Sequence, residues 1–346
     1  MIKSLLISGY KSIDKEELDM APLTILTGLN SAGKSTLIQS ILILSATYST
    51  EVTSTIRELV KNYSEFNINR NRFSNSKEIN IVAKYKDGTE NKISFSNDYF
   101  NKDEIGNPFL NFEQNLFYIS ANRIGQEELA SYDEDIKFGT NGKYVFGFFE
   151  QNKSEIIDRS LTIDKADGFT LDSQVSYWLK YILDINLRIN TEPITASNVK
   201  VTFSTDGLDY ISPFNLGAGN SYLAKIVIMA LSCHPGNIFI VENPEIHLHP
   251  KAQSMLADFL NFIASKGIQV IVETHSEHFI NKTRFSIYKR LIDANDVIIH
   301  YKPSAKDKFL TLGINQNGHF VDKDKKSIDF PNGFFDSTLT ELLEMI

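Results

Sequence analysis

Apolar and polar residues along the 346-residue chain follow two periods, one of strands and one of helices. Ile2 to Ile7 reads as a strand. After Gly9-Tyr10-Lys11-Ser12-Ile13 a second short strand is expected up to Met20, and Leu23 to Leu26 carries the branched and apolar residues of a buried strand. The apolar pattern of Leu37 to Leu44 is helical and predicts a helix from about Lys34 to Ala46, with another from Glu51 to Tyr63. Asn67 to Ser76, rich in Asn, Arg and Ser, reads as a loop. Lys77 to Tyr85 and Asn91 to Phe95 read as strands around Asp87-Gly88, a hairpin signal. Asn97 to Asn107 is polar, and Leu116 to Ser120 is a short apolar strand ending in Ala121-Asn122-Arg123. Glu127 to Asp167 mixes signals with several glycines and is assigned no order. Asp172 to Arg188 is predicted helical, with Val175, Trp178, Leu179, Ile182 and Leu183 on one stripe and Asp172 or Ser173 as cap; Asn198 to Phe203 is a strand.

The C-terminal part has strands that end in chemistry. Asn215 to Tyr222 is a glycine-containing turn opening an apolar helix, Leu223 to Leu231, so its amides face outward at a helix N-terminus. Asn237 to Val241 is a buried strand ending in Glu242-Asn243-Pro244-Glu245, followed by His247, His249 and Pro250 and a helix from Lys251 to Ala264. Ile268 to Val272 is another buried strand, ending in Glu273-Thr274-His275-Ser276. Two such strands, each followed by a helix, place Glu242, Glu245 and His275 at one edge of a parallel sheet. Residues of roughly 47–212 read as an inserted lobe of mixed α/β structure, with neither an internal repeat nor a coiled-coil run.

Gly28-Leu29-Asn30-Ser31-Ala32-Gly33-Lys34-Ser35-Thr36 has the phosphate-loop pattern, and the strand before it and the helix after it supply the context that the motif requires. Gly28 and Gly33 let successive amides turn toward an anion, Lys34 adds a point charge for the β- and γ-phosphates, and Ser35 offers a hydroxyl to Mg²⁺. A nucleotide ligand, ATP with Mg²⁺, is the expectation. A carboxylate at the end of a buried strand, as at Glu242, suits Mg²⁺ or its water. His275, beside such a loop, suits a γ-phosphate or the attacking water.

Composition adds exclusions. Apolar residues make up 42% and charged residues 23%, ordinary for a globular protein. A net charge of −8 argues against a general nucleic-acid coat, although a local basic patch is still open to phosphates. The single Cys233 excludes an intramolecular disulfide. With no secretion-signal pattern and no apolar run near the ~20 residues of a membrane span, a cytoplasmic location is expected.

These motifs together resemble an ATPase of the ABC class, in the branch of the chromosome-maintenance (SMC), RecF-type repair and overcoming-lysogenization-defect proteins. Gly28 to Thr36 corresponds to Walker A, Leu216 to Asn220 to the signature, Val241 to Glu245 with His247 to Pro250 to Walker B, and Thr274-His275-Ser276 to the switch. They lie in 1–46 and 213–301. Pro331 to Asp336 is similar to the end of stand-alone bacterial ATPases of this branch found near anti-phage genes. The resemblance implies a mixed α/β sheet with antiparallel N-terminal strands, a core of 1–46 and 213–346, and the 47–212 lobe inserted. It also implies a homodimer, or higher homo-oligomer, that sandwiches ATP between Walker A of one copy and the signature of the other. In that frame Asn30, Ser31, Ala32 and Thr36 join the loop's contacts. Gly217 stands where the signature serine belongs, which leaves Gly219 and its neighbouring amides, with Ser221, to meet the γ-phosphate. Glu242 takes the Walker B aspartate's place. Asn243 stands at the usual catalytic glutamate and accepts no proton, so Glu245 is the candidate base and hydrolysis is expected to be slow.

Other readings compete at individual residues. Glu245, His247 and His249 form a His-x-His metal candidate that lacks the second pair of a closed site. Asp322 and Asp324 match a nuclease's acidic pair, with too little chain after them to build that domain. Lys282, Arg284, Lys289 and Arg290 offer a basic helix for nucleic acid against the simpler reading of a solvated face. Arg123 is either a coupling residue or a surface arginine. Three functions are therefore weighed: a regulatory ATPase whose closed form senses nucleic acid or controls a separately encoded effector, plausible in anti-phage defence; a self-sufficient DNA repair or maintenance ATPase acting on DNA ends; and a nuclease. Charge, the absence of coiled-coil arms and the absence of a metal domain favour the first.

Overall fold

In a computed structural model, which describes residues 1–48, 64–105 and 110–331, the N-terminal alternation builds β1 (Ile2–Tyr10) and β2 (Ile13–Asp19), and the apolar run before the loop builds β3 (Leu23–Gly28). Then come α1 (Ser35–Tyr48), a single turn α2 (Phe66–Asn69), and β4 (Ile79–Tyr85), β5 (Glu90–Phe95) and β6 (Phe100–Ile105). β7 (Leu116–Ile119), β8 (Leu129–Ser131), α3 (Val145–Asn152) and α4 (Leu171–Leu183) follow, then β9 (Arg188–Thr195), β10 (Asn198–Thr205) and β11 (Leu208–Ile211). The C-terminal part contains α5 (Ala218–Leu231), β12 (Ile238–Glu242), α6 (Pro250–Ser265), β13 (Gln269–Glu273), α7 (Glu277–Tyr288), β14 (Val297–Lys302), β15 (Leu310–Ile314) and β16 (Phe320–Val321). The helix expected over Glu51 to Tyr63 and most of the closing Pro331 to Asp336 motif lie outside the described residues.

The chain divides into two compact units, residues 1–112 with 273–346, and residues 113–272. In the first, an antiparallel sheet runs in the order β2-β1-β4-β5-β6, and the Asp87-Gly88 turn closes its β4–β5 hairpin with Ile79 opposite Phe95. A second set of strands in this unit holds the phosphate-loop strand: β3 pairs in parallel with β14, from Val297 opposite Leu23 to Lys302 opposite Gly28, and β15 and β16 continue antiparallel. All six residues of β3 are buried, as its unbroken apolar and threonine run requires. Behind the loop strand a buried ion pair joins Lys302 Nζ to Glu16 Oε1 at 3.1 Å.

In the second unit β7 and β12 pair in parallel, with Ile238 opposite Leu116, and β9, β10 and β11 form an antiparallel meander to which β8 adds on β10. α4 packs on α5 and α6, with Trp178 against Phe259 at 4.8 Å between ring centroids.

This division differs from the expected core of 1–46 and 213–346 with 47–212 inserted. Residues 79–105 belong with the N-terminus because β4 pairs with β1 along its length, and the signature helix α5 sits in the other unit because its apolar surface packs on α4. Two local expectations also change. The polar stretch 97–107 contains β6, which among the described residues pairs on one side only, with β5, and α4 is capped by Thr170, whose hydroxyl accepts from Ser173 N, and ends at Asp184 in the left-handed conformation.

Candidate nucleotide site

The phosphate loop is built around positions where only glycine fits. At Gly28 φ is +132° and a Cβ would lie 2.2 Å from the carbonyl oxygen of Lys302; at Gly33 φ is +101° and a Cβ would lie 1.9 Å from Ser12 Oγ. Ser31 between them is also left-handed, at φ 59°. The loop thus curls over α1, with Leu29, Asn30 and Ser31 exposed and Ala32 buried beneath. Lys34 is only 4% exposed. Its ammonium donates to the carbonyls of Gly28 at 3.1 Å and Leu29 at 2.8 Å, which holds a positive charge inside the curl. Burial lowers its pKa and the Glu273 carboxylate opposes that shift. Ser35 Oγ donates to Glu273 Oε2 at 2.9 Å, and Thr36 Oγ1 lies 3.4 Å from Ser12 Oγ. A cradle shaped by glycine, a buried ammonium and a hydroxyl backed by a carboxylate fit a nucleotide's phosphates and their Mg²⁺.

The switch belongs to the same unit. Thr274 N donates to the carbonyl of Leu26 in β3 at 3.0 Å, and Ser276 caps α7 by accepting from Phe279 N at 3.1 Å. These two bonds fix the intervening His275 at the surface. Partial desolvation first, and the Lys34 charge second, lower its pKa below the ordinary histidine value, so the imidazole is neutral at neutral pH and has one N–H to donate.

The other candidate residues lie in the second unit. Glu242 ends β12; its Oε2 accepts from Ala121 N at 3.1 Å, and burial raises its pKa against that bond, a hydrogen bond from Tyr118 and the charge of Arg123. Asn243 is left-handed at φ 43°, a conformation that asparagine tolerates far better than glutamate. Its identity therefore has a backbone reason. Ile246 N returns to Asn243 O at 3.2 Å and Leu248 N to Glu245 O at 3.0 Å, closing a turn that carries Glu245. His247 stacks on Tyr222, and His249 caps α6 by accepting at Nδ1 from Lys251 N. Both imidazoles thus have local roles, and no metal-ligating cluster of three acidic, His or Cys residues occurs among the described residues.

Arg123 decides the shape of this turn, a role that composition and spacing did not reveal. It is 4% exposed and is no surface arginine. Its guanidinium donates to the carbonyls of Glu242 at 2.9 Å, Asn243 at 3.0 Å and Ser120 at 3.3 Å, and lies over the Tyr222 ring at 4.9 Å. Burial pushes its pKa down to about 10, which still leaves it charged. Through Tyr222 it joins the Walker B turn to the signature helix.

In the signature turn Gly217 is the N-cap of α5, exposed, with φ −60° and open space where a Cβ would stand. A Cβ on Gly219 would meet the carbonyl oxygen of His247 in the same chain at 2.4 Å. Ser221, expected at the phosphate of a second copy, is instead 1% exposed, turned into its own unit where the apolar face of α5 packs. Gln126 Nε2 holds the turn by donating to the carbonyls of Pro213 at 3.0 Å and Leu216 at 2.6 Å.

Further along α5, Lys225 is wholly buried and pairs with Glu127 at 2.5 Å while donating to Ile124 O at 3.0 Å. Burial drives both groups toward neutrality and their contact opposes it. Lys225→Met is expected to lower unfolding free energy by about 3–5 kcal/mol, because the Glu127 carboxylate is left buried without its partner. Adding Glu127→Gln should return part of that loss in chemical denaturation. An unchanged midpoint in Lys225→Met would show that the pair adds nothing to stability.

The remaining candidates have structural roles. Asp322 Oδ1 accepts from Asp324 N and Lys326 N, each at 2.9 Å, within its own surface turn. On α7, Arg284 donates to Gly318 O at 2.7 Å and covers Phe320, while Lys282 and Lys289 lie over Phe285.

Known proteins match this arrangement. A family model described as "AAA domain, putative AbiEii toxin, Type IV TA system" matches residues 23–281, well over half of the chain. Among solved structures, an SMC head bound to the C-winged helix domain of ScpA aligns with a TM-score of 0.54 at 13% identity, over 91% of this chain and 98% of that one. The Smc head with an extended coiled coil, bound to the C-terminal domain of ScpA from Pyrococcus furiosus, aligns with 0.52 at 12% identity, over 90% and 96%. No curated protein sequence matches significantly. The chain belongs to the AAA-domain family of that description and shares the fold of SMC head domains.

Proposed function

We propose that the chain binds ATP with Mg²⁺, closes as a homodimer or higher homo-oligomer around it, hydrolyses it slowly in the cytoplasm, and in doing so controls a separately encoded effector, in bacterial anti-phage defence. The observation that carries this reading is Lys34, a buried ammonium held on the Gly28 and Leu29 carbonyls inside a glycine-shaped curl. The family's description names a toxin and a toxin–antitoxin system, and the SMC heads that share the fold are bound to domains of a separate protein, ScpA; both support a partner. Gly28 to Thr36 would take the phosphates, and Gly217 with the amides near it would face the second copy's nucleotide. Glu242 and Glu245 supply the Walker B carboxylates, and neutral His275 donates toward the γ-phosphate. Identifying what co-purifies with the full chain names the effector.

The role of Glu245 is tested by turnover. Glu245→Gln is expected to spare ATP binding and reduce hydrolysis by about 10²–10⁴-fold, the share of a general base. Normal hydrolysis in Glu245→Gln beside its loss in Glu242→Gln would reverse the two assignments.

A further inference from the structure

Within the unit that holds the phosphate loop, the carboxylate touching the loop's metal-side hydroxyl is neither Glu242 nor Glu245. Glu273 ends β13 after the apolar run Val270-Ile271-Val272, is 6% exposed, and accepts the Ser35 proton at 2.9 Å. A carboxylate that far out of water is costly unless it is hydrogen-bonded and faced by positive charge, and the Lys34 ammonium supplies part of that charge. Ser35 is the first residue of α1. A hydroxyl has one proton and two lone pairs. With the proton given to Glu273, the lone pairs of Ser35 Oγ are turned away from the carboxylate and made more basic, which is what a hard cation seeks in an oxygen ligand. Glu242, by contrast, has Oε2 engaged by Ala121 N at 3.1 Å.

We propose that Glu273 is the positioning residue for Mg²⁺: acting through Ser35, it orients and polarises the hydroxyl that holds the ion beside a bound nucleotide. The inference rests on the ATP reading above. Its test is the Mg²⁺ dependence of ATP affinity, measured by calorimetry in EDTA and across a Mg²⁺ titration, on the full chain. In the wild type Mg²⁺ should strengthen ATP binding. Glu273→Gln should bind ATP in EDTA at least as tightly as the wild type, because a carboxylate near Lys34 and the phosphates is neutralised, and should raise the half-saturating Mg²⁺ concentration by about 10–100-fold, the usual effect of removing an outer partner of a metal ligand. Glu273→Asp should recover part of the shift. Because the effect runs through one hydroxyl, Ser35→Ala and Glu273→Gln should not add in the double variant. A Glu273→Gln chain with wild-type Mg²⁺ dependence, or a larger shift in Glu242→Gln than in Glu273→Gln, overturns the inference while ATP binding stands. A wild-type chain that binds no ATP in either condition overturns the ATP reading and this inference with it. If Glu273→Gln fails to fold by circular dichroism, Ser35→Ala combined with Glu273→Asp carries the same comparison, and additive losses there count against the proposal.

Discussion

Lys34→Ala is expected to abolish ATP binding in calorimetry while the chain stays folded. The ammonium lies inside the curl of the loop, on the Gly28 and Leu29 carbonyls. The Leu29 carbonyl lies on an exposed loop rim, so water takes over there when the side chain is removed, and the fold loses little. The nucleotide loses more. A charge-assisted contact contributes about 1.5–3 kcal/mol, and one ammonium bridging two phosphates makes two of them, so affinity should fall by at least ~10²-fold. Lys34→Arg should fail as well, because a planar guanidinium does not reproduce a compact point charge held between the Gly28 and Leu29 carbonyls. Wild-type affinity in Lys34→Ala would remove the phosphate-loop assignment.

The loop was legible in the sequence because it is local. Strand, glycines, lysine, hydroxyl and helix follow one another within 23–46, and every contact that shapes the curl except those to Ser12, Glu273 and Lys302 lies in that stretch. The β4–β5 hairpin was legible for the same reason, as Asp87-Gly88 fixes its turn. What escaped was set by distant partners. β6 carries no apolar alternation, since an edge strand paired only with β5 needs none. α3, the helix Val145–Asn152 inside a stretch of mixed signals, owes its place to burial of Val145, Phe146 and Phe149 and to Gly147, where a Cβ would strike the Ser131 carbonyl oxygen at 2.4 Å. The grouping of β4 to β6 with the N-terminus follows from pairing with β1, which no short window contains.

The same distinction separates the site residues. Asn243 reads in sequence as a lost catalytic glutamate; its left-handed backbone shows a second demand on that position, one made by the turn. Arg123 follows an apolar strand, and that position at the end of β7 was the available signal, but only the carbonyls of Glu242 and Asn243, far along the chain, decide that it is buried. Glu273 stood in view as the acid closing a buried strand, the same signal that drew attention to Glu242. In sequence the Thr-His-Ser after it reads as a switch, and the Ser35 bond is what distinguishes the two acids.

The signature turn offers the sharpest test of assembly, and the structure determines which glycine to use. Gly219→Asp would confuse two effects, since its Cβ collides with the His247 carbonyl oxygen at 2.4 Å within the same chain and would disturb the Walker B turn with no second copy present. Gly217 has no such conflict. Its φ of −60° suits any residue, nothing lies within 4 Å of its Cβ, and it is exposed. As N-cap of α5 it makes no side-chain cap hydrogen bond, so an aspartate there should cap the helix and hold or slightly raise the stability of one copy, by at most about 1 kcal/mol. If α5 closes on the γ-phosphate of a second copy's ATP, the same carboxylate meets a like charge in a desolvated interface, a penalty of several kcal/mol. Gly217→Asp is therefore expected to keep or raise the melting temperature, keep ATP binding through Gly28 to Ser35, and lose the ATP-dependent dimer. Gly217→Asn, a neutral cap of similar shape, should keep all three. Light scattering with and without ATP, on a Glu245→Gln background that slows hydrolysis, measures the difference. An ATP-dependent dimer that survives in Gly217→Asp would mean that this turn caps a helix and nothing more, and that two copies, if they meet, do so through another face.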